Sequence, residues 1–266
     1  MTSASPLALP APAGATASAP PAARIYALET RYELLKMLRQ PSYSVPTIGF
    51  PVMFYLLFGV LLGGRGVKGV DLAEYLIASY GAFGVVGAAM FGFGVGIAAE
   101  RAQGWLLLKR VSPMPPAALV LAKVAMSAVF GLIIIALMGL CGGLLGGVRL
   151  SAGEWAELAA VLVLGAVPFC LIGLAIGLVV SPAAAPGIVN LIHLPLAFLS
   201  GLALPVEAMP AAIRTLAQVL PQYHLGQLAL GAIGYARQPE PLTHVLVLAG
   251  TTVVAGVVAA RAYRRQ

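Results

Sequence analysis

The chain has 266 residues, of which 60% are hydrophobic and only 9% charged, and its mean hydropathy is +0.96. Because soluble domains carry about 25% charged residues on average, this composition excludes a single soluble domain and predicts an integral membrane protein. The formal net charge is +7, but the basic residues separate by membrane side, which excludes a nucleic-acid-binding protein.

The chain begins with a segment that does not resemble a signal peptide. The first 23 residues carry no charge and contain nine alanines and five prolines. A signal peptide needs a basic start followed by an uninterrupted apolar stretch, and this segment has neither. We therefore expect residues 1–24 to be a disordered cytoplasmic tail and residues 25–266 to form the membrane domain.

Residues Ile25–Gln40 predict an amphipathic helix at the membrane interface, and Pro41 ends it. One half of its helical wheel is apolar and carries Leu28, Leu34, Leu35, Met37 and Leu38. The other half is charged and carries Glu29, Glu33, Lys36 and Arg39. The helix is either a passive anchor in the headgroup plane or a contact for a soluble partner.

Six apolar segments are long enough to cross a bilayer, which takes about 20 residues in a helix. They lie at about 45–64, 75–99, 117–147, 155–180, 186–204 and 242–260. The segments are continuously apolar rather than alternating, so we expect helices and not strands. The predicted fold is all-α, with six transmembrane helices after the N-terminal interfacial helix.

The basic residues predict the orientation of these helices. Eleven of the 16 Lys and Arg lie before the first segment, between the second and the early part of the third, or after the sixth. Because cytoplasmic loops are enriched in Lys and Arg, both termini are expected in the cytoplasm. The Ala-, Gly- and Pro-rich usage is typical of a bacterium with GC-rich DNA, so we expect a bacterial inner membrane.

The interiors of the predicted helices contain no Asp or Glu, which argues against ion-coupled carriers and against cation channels with acidic rings. His193 is the one titratable side chain deep in a segment, three residues after Asn190. It is either a proton relay or a hydrogen-bonding partner of a neighbouring helix. Cys141 and Cys170 lie in apolar runs and predict core residues, so no metal site is expected.

Glycines at four-residue spacing predict closely packed helices, most clearly at Gly173 and Gly177 and at Gly139 and Gly143. The sequence has no G-x-x-x-x-G-K-[ST] motif for ATP. If ATP drives this protein, another chain must hydrolyse it. We therefore predict that the chain is not an enzyme and binds no cofactor itself.

The loop after the second segment holds several of the scarce charges and one of the two tryptophans. From its residues alone it is either a short helix facing a soluble partner or a solvated turn. It resembles the cytoplasmic loop of ABC-2-type transporter permeases, whose pattern is E-R-x-x-G-T/W-L followed by S/T-P. The matching residues are Glu100, Arg101, Gly104, Trp105, Leu106, Ser112 and Pro113. Leu107 departs from the pattern, since the permeases often have Glu there.

Further blocks agree with this resemblance. Lys123 matches the basic residue that the family has at the start of the third span. Residues Leu194–Gly201, followed by Pro205, Pro210 and Pro221–His224, resemble the end of the fifth span and the short outer helices after it. The resemblance implies a type V ABC exporter-like fold over about residues 25–260.

The resemblance also implies a function. The chain would be the transmembrane permease subunit of an exporter for a hydrophobic or amphiphilic drug, antibiotic or lipid-like compound. A separate ATPase dimer would bind ATP and Mg, and a second permease copy or paralogue would complete the assembly. The alternatives are a permease for a lipid-linked polysaccharide, and a membrane scaffold without transport.

Two sets of site residues follow from the same resemblance. Contact with the ATPase is expected from Glu100, Arg101, Gly104, Trp105, Leu106, Lys109, Arg110, Ser112 and Pro113. The substrate path is expected to include Phe50, Phe54, Tyr55, Phe91, Phe93, Asn190, His193 and Phe198. The alternative for the aromatic residues is that they only pack helices or face lipid.

Overall fold

The computed structural model describes residues 22–62, 71–106, 108, 116–235 and 241–265. Throughout these ranges the regular secondary structure is helical and contains no strand, which confirms the all-α fold. Most of the predicted tail, residues 1–21, lies outside the described residues. The first helix begins at Ala22, three residues earlier than the sequence predicted.

Ten α-helices are described and are numbered here in chain order. Their bounds are α1 Ala22–Leu38, α2 Pro41–Phe54, α3 Leu72–Ala102, α4 Pro116–Leu145, α5 Ala152–Gly165, α6 Val167–Val179, α7 Ala185–Leu199, α8 Ala211–Ala217, α9 Pro221–Ala232 and α10 Pro241–Arg264. A π-helical segment, Tyr55–Leu61, continues α2, and a 3₁₀ turn, Val206–Ala208, precedes α8.

Five helical segments are long and apolar enough to cross a membrane. They are Pro41–Leu61, Leu72–Ala102, Ala117–Leu145, Ala152–Val179 and Pro241–Arg264. The fourth combines α5 and α6, which meet at Ala166. Pro168 follows this junction and has no N–H to continue the helical hydrogen bonding, which explains the interruption.

The fifth predicted span, 186–204, is shorter in the structure than the sequence predicted. Its helix α7 has 15 residues. At 1.5 Å per residue it is about 22 Å long, less than the roughly 30 Å of a hydrocarbon core. The helix ends because Gly201 adopts a φ of 83°, and the N–H of Leu202 donates to the carbonyl of Ala197 in a Schellman motif. The six-span arrangement is therefore not confirmed.

Helix α3 lies at the centre of the bundle and is buried on nearly all sides. It packs against α6 at two glycines, where the backbones approach closely. A Cβ added to Gly173 would lie 2.8 Å from the carbonyl oxygen of Met90, and one added to Gly177 would lie 2.7 Å from that of Gly94. This confirms the close packing predicted at these two glycines. Gly143 of α4, in contrast, faces open space.

Charged residues gather at one end of the bundle, which we call the basic end: Lys36, Arg101 and Lys123 lie there. Helix α1 packs chiefly against α4 at this end. The buried side chains of α1 are Glu33 and Met37, whereas Leu28 and Leu38 are exposed. Glu33 lies on the charged half of the predicted helical wheel but is buried in the structure. Its carboxylate has a partner inside the protein, which the wheel cannot show.

Candidate functional site

A half-open cavity of about 700 Å³ lies between α2, α3 and α7. Its apolar wall is rich in aromatic side chains, which are Tyr43, Phe50, Phe54, Phe83 and Phe91, and also contains prolines and aliphatic side chains such as Pro46, Pro51, Val95 and Leu194. The polar lining includes Lys36 and Glu100 at the basic end, Asn190 and His193 on α7, and Ser42 and Thr47 on α2. Phe50, Asn190 and Leu194 both line the cavity and are exposed, so the cavity opens between α2 and α7.

Five of the eight residues predicted for the substrate path line this cavity: Phe50, Phe54, Phe91, Asn190 and His193. The other three lie elsewhere. Tyr55 is buried beside Gly142 of α4 and Gly146 just after it, Phe93 packs against Gly173 of α6, and Phe198 is exposed and does not line the cavity. Whether the five contact a transported compound stays a prediction.

Sequence reasoning missed Tyr43 and Phe83, which also line the cavity. The signal for Phe83 was present, because residues 83, 87 and 91 recur at four-residue spacing and share one face of α3. Tyr43 is buried, and its hydroxyl donates to the carbonyl of Ala88 over 3.0 Å. That bond fastens the start of α2 to α3 at the side of the cavity.

His193 of α7 is 2% exposed and contacts two other helices. Its ring stacks on Phe83 with centroids 4.7 Å apart, and its Nε2 lies beside Gly87, both on α3. The side-chain amide of Gln222, in α9, donates to its Nδ1 over 3.4 Å. Of the two interpretations of this residue, the hydrogen bond to a neighbouring helix is the one that the structure contains.

Four charged side chains form an ionic cluster at the basic end: Glu33, Glu100 and Lys123, which are buried, and Lys36, which is partly exposed. The Lys123 ammonium donates to Glu33 and, over 3.0 Å, to Glu100. Lys36 donates to Glu100 over 2.5 Å and to Glu33 over 3.5 Å. The charges sum to zero, and the cluster joins α1, α3 and α4. The sequence contained a hint, since a lysine inside an apolar helix needs a counter-ion.

Lys36 is the most exposed member of the ionic cluster. Burial lowers the pKa of its ammonium, but the carboxylates of Glu100 and Glu33 outweigh that effect and hold the pKa above its usual value. Lys36 therefore stays protonated at neutral pH.

Arg101 is bound within the chain. Its guanidinium donates to the carbonyl oxygens of Leu178 and, over 2.7 Å, Val180, at the end of α6. Helix ends leave unpaired carbonyl groups with partial negative charge, so a guanidinium there stabilises the terminus. The expected contact of Arg101 with the ATPase stays a prediction, and in the structure its side chain forms hydrogen bonds within the chain.

The chain turns sharply after α3, where Gly104 has a φ of 76°. Beyond this turn Trp105 is 55% exposed and Leu108 is 65% exposed, whereas Leu106 is buried in the core. Trp105 and Leu106, predicted together as an anchor for a partner, thus point in different directions. Lys109, Arg110, Ser112 and Pro113 lie outside the described residues.

Two histidines meet at the end opposite the basic end. The Nδ1 atoms of His224 in α9 and His244 in α10 are 2.7 Å apart. His224 Nε2 donates to the Gln218 carbonyl over 2.9 Å, so the proton between the rings belongs to His244. Burial lowers the pKa of His224, and the Gln218 bond offsets this only in part. Among the described residues no cluster of three or more metal-ligating side chains occurs.

Two comparisons with known proteins cover these features. A family model described as "ABC-2 type transporter" matches residues 26–233. A protein of Bacillus subtilis (strain 168) named "Putative transport permease YvfS" is 28% identical over 194 residues, which are 73% of this chain and 79% of that protein. The family match begins within α1 and ends just after α9, and it includes the cavity and the ionic cluster.

Proposed function

This chain is a transport permease of the ABC-2 type transporter family. We propose that it is the membrane subunit of an ATP-driven exporter for a hydrophobic or amphiphilic compound. The observation that carries the proposal is the cavity between α2, α3 and α7. Its wall is aromatic, and its charged residues, Lys36 and Glu100, neutralise each other. Such a site suits an uncharged apolar body of a drug, an antibiotic or a lipid-like molecule.

The energy source in this proposal is a separate ATPase dimer, which would bind ATP and Mg. This chain has no phosphate-binding motif of the Walker type. Trp105, exposed beyond the turn at Gly104, supplies an aromatic side chain for docking, and buried aromatic anchors often dominate interface energies. Movement of the docked segment would reach the cavity through Glu100, which belongs to both the ionic cluster and the cavity lining.

The assembly in this proposal contains a second permease copy or a paralogue. The cavity opens between α2 and α7, where Phe50, Leu191 and Phe198 are exposed. A second copy on this face would cover the opening and enclose the substrate path. We further propose six membrane crossings, with α7 and the residues after it forming the fifth, cytoplasmic termini, and a bacterial inner membrane.

The test is purification of the chain from its native membrane in mild detergent, with mass spectrometry of the proteins that co-elute. The proposal predicts a P-loop ATPase in equal amount, and ATP-dependent movement of an amphiphile after reconstitution of the complex into liposomes. Reproducible absence of the ATPase from a folded preparation would contradict it and favour a scaffold. ATP-dependent movement of lipid-linked polysaccharide alone would favour the polysaccharide exporter.

A further inference from the structure

We propose that His193 determines which compounds enter the cavity, by donating one hydrogen bond from its Nε2–H to an acceptor oxygen on a flat, uncharged ligand. The inference rests on the proposed function, because the ligand is the compound that the cavity would carry. It adds a chemical requirement, since an aromatic wall alone accepts any apolar molecule of suitable size.

The first step of the argument is the protonation of the ring. The Gln222 side-chain amide donates to His193 Nδ1, so Nδ1 is an acceptor and the proton of the neutral ring lies on Nε2. Gln222 itself is fully buried, and its Oε1 has no partner within the described residues. The hydrogen bond to His193 is therefore the one that the Gln222 side chain forms within the described residues.

The second step is the direction of the donor. His193 Nε2 lies next to Gly87, where an added Cβ would approach it to 3.3 Å. Gly87 and His193 both line the cavity, and because Gly87 has no side chain, no atom from this position covers Nε2. Within the described part of the chain, the imidazole makes no hydrogen bond besides that from Gln222. His193 as a whole is 2% exposed and lines the cavity, so a molecule in the cavity is the acceptor that its donor would meet.

The third step is the chemistry of the complementary ligand. Phe83 stacks on the imidazole, and Phe54 and Phe91 continue the aromatic wall, so a planar apolar body fits beside the donor. The polar group of the ligand must accept a hydrogen bond, as a ketone, ester or ether oxygen does. A ligand that carries only donors would leave the Nε2–H unpaired in a buried place, which is unfavourable.

The experiment compares two fluorescent probes that differ at one position. The ketone 6-propionyl-2-(dimethylamino)naphthalene has an acceptor oxygen, and 2-(dimethylamino)-6-propylnaphthalene lacks it. Binding is measured on the full chain in lipid nanodiscs without ATP, with empty nanodiscs subtracted. We expect saturable binding, with the ketone roughly three- to tenfold tighter than its analogue, as one net hydrogen bond implies.

The variants separate the hydrogen bond from the shape of the cavity. His193→Phe keeps a stacked ring without the donor and is expected to remove the preference for the ketone while the analogue binds unchanged. Gly87→Ala places a methyl group against Nε2, should also weaken the ketone selectively, and serves if His193→Phe does not fold. Val254→Ala, on an exposed position of α10 outside the cavity lining, should alter neither affinity.

Three results would overturn the proposal: equal affinity of the two probes for the unmodified chain, equal weakening of both probes by His193→Phe, and no saturable binding of the ketone. None of them bears on ATP-driven transport, because ATP and the ATPase are absent from the measurement. Absence of the ATPase from the purified complex would contradict the proposed function. The preference for the ketone would then still be tested by the binding measurement in nanodiscs.

Discussion

The ammonium nitrogen of Lys123 in α4 lies 3.0 Å from Oε1 of Glu100 at the end of α3, and the Lys123 side chain has no exposed surface. The same ammonium binds Glu33 of α1, so a single buried charge connects three helices. Removing charges from water is costly, and the geometry compensates because two lysines and two glutamates are held together. Helix α1 is therefore fastened to the bundle through this cluster.

Replacing Lys123 by Met should destabilise the protein by about 3–5 kcal/mol, because Glu33 and Glu100 would stay buried with Lys36 as their remaining cation. The free energy of unfolding in detergent measures the loss. Arg214→Met on α8, where the arginine is exposed, is the control and should change it by less than about 0.5 kcal/mol. Similar values for the two variants would show that the cluster contributes little.

The double variant Lys123→Met, Glu33→Gln should recover part of that loss. It restores neutrality, since Glu100 and Lys36 remain as a pair 2.5 Å apart. The measurement is a double-mutant cycle on the unfolding free energy, in which residues of one network give a coupling of about 0.5–3 kcal/mol. Strictly additive effects would mean that Glu33 and Lys123 act independently.

Trp105→Asp should leave folding intact and abolish both copurification of the ATPase and its stimulation. The ring is more than half exposed, so its loss removes little internal packing. Leu106→Ala is the contrasting variant, because Leu106 is buried in the core and its truncation should lower the melting temperature. An ATPase that still binds and is stimulated by Trp105→Asp would disprove the docking role of this side chain.

Gly177→Ala should separate α3 from α6, because the new Cβ would lie 2.7 Å from the Gly94 carbonyl oxygen and neither backbone can yield cheaply. A loss of about 1–3 kcal/mol is expected from such overpacking. Gly250→Ala in α10 has open space around it and should be neutral or slightly stabilising. Thermal unfolding of both variants makes the comparison, and an unaffected Gly177→Ala would show that the two helices adjust freely.

Acidification should loosen the junction between α9 and α10. The pKa of His224 is lowered from 6.5, chiefly by burial, so the folded protein favours the neutral ring. This contribution to stability is complete above pH 6.5 and is lost as the pH falls through the lowered pKa. The melting temperature should therefore fall between pH 7.5 and 5, and less so in His224→Gln. Identical pH profiles would exclude His224 as the cause.

The long helices were predictable from the sequence because bilayer thickness sets their length. The end of α7 was not predictable, because Leu202 and Leu204 continue the apolar run in the sequence. The helix ends earlier because of the turn at Gly201. The burial of Glu33 was also missed, because Lys123 is 90 positions away and only tertiary packing brings them together.

The sequence allowed a more accurate prediction of part of the cavity lining. Phe91 and Phe93 were predicted together, but residues two apart in a helix point in nearly opposite directions. The structure accordingly places Phe91 at the cavity and Phe93 against α6. The orientation of His193 required the position of Gln222, which no local pattern contains.

The hydrogen bonds of Arg101 to the end of α6 connect the end of α3 to the start of α7. Val180, whose carbonyl Arg101 holds, is separated from the first residue of α7 by only four positions. A displacement of the Arg101 backbone is therefore expected to move residues 181–184 and, with them, the start of α7, the helix that carries His193. We therefore expect movement of Arg101 to alter the width of the cavity by shifting the base of α7.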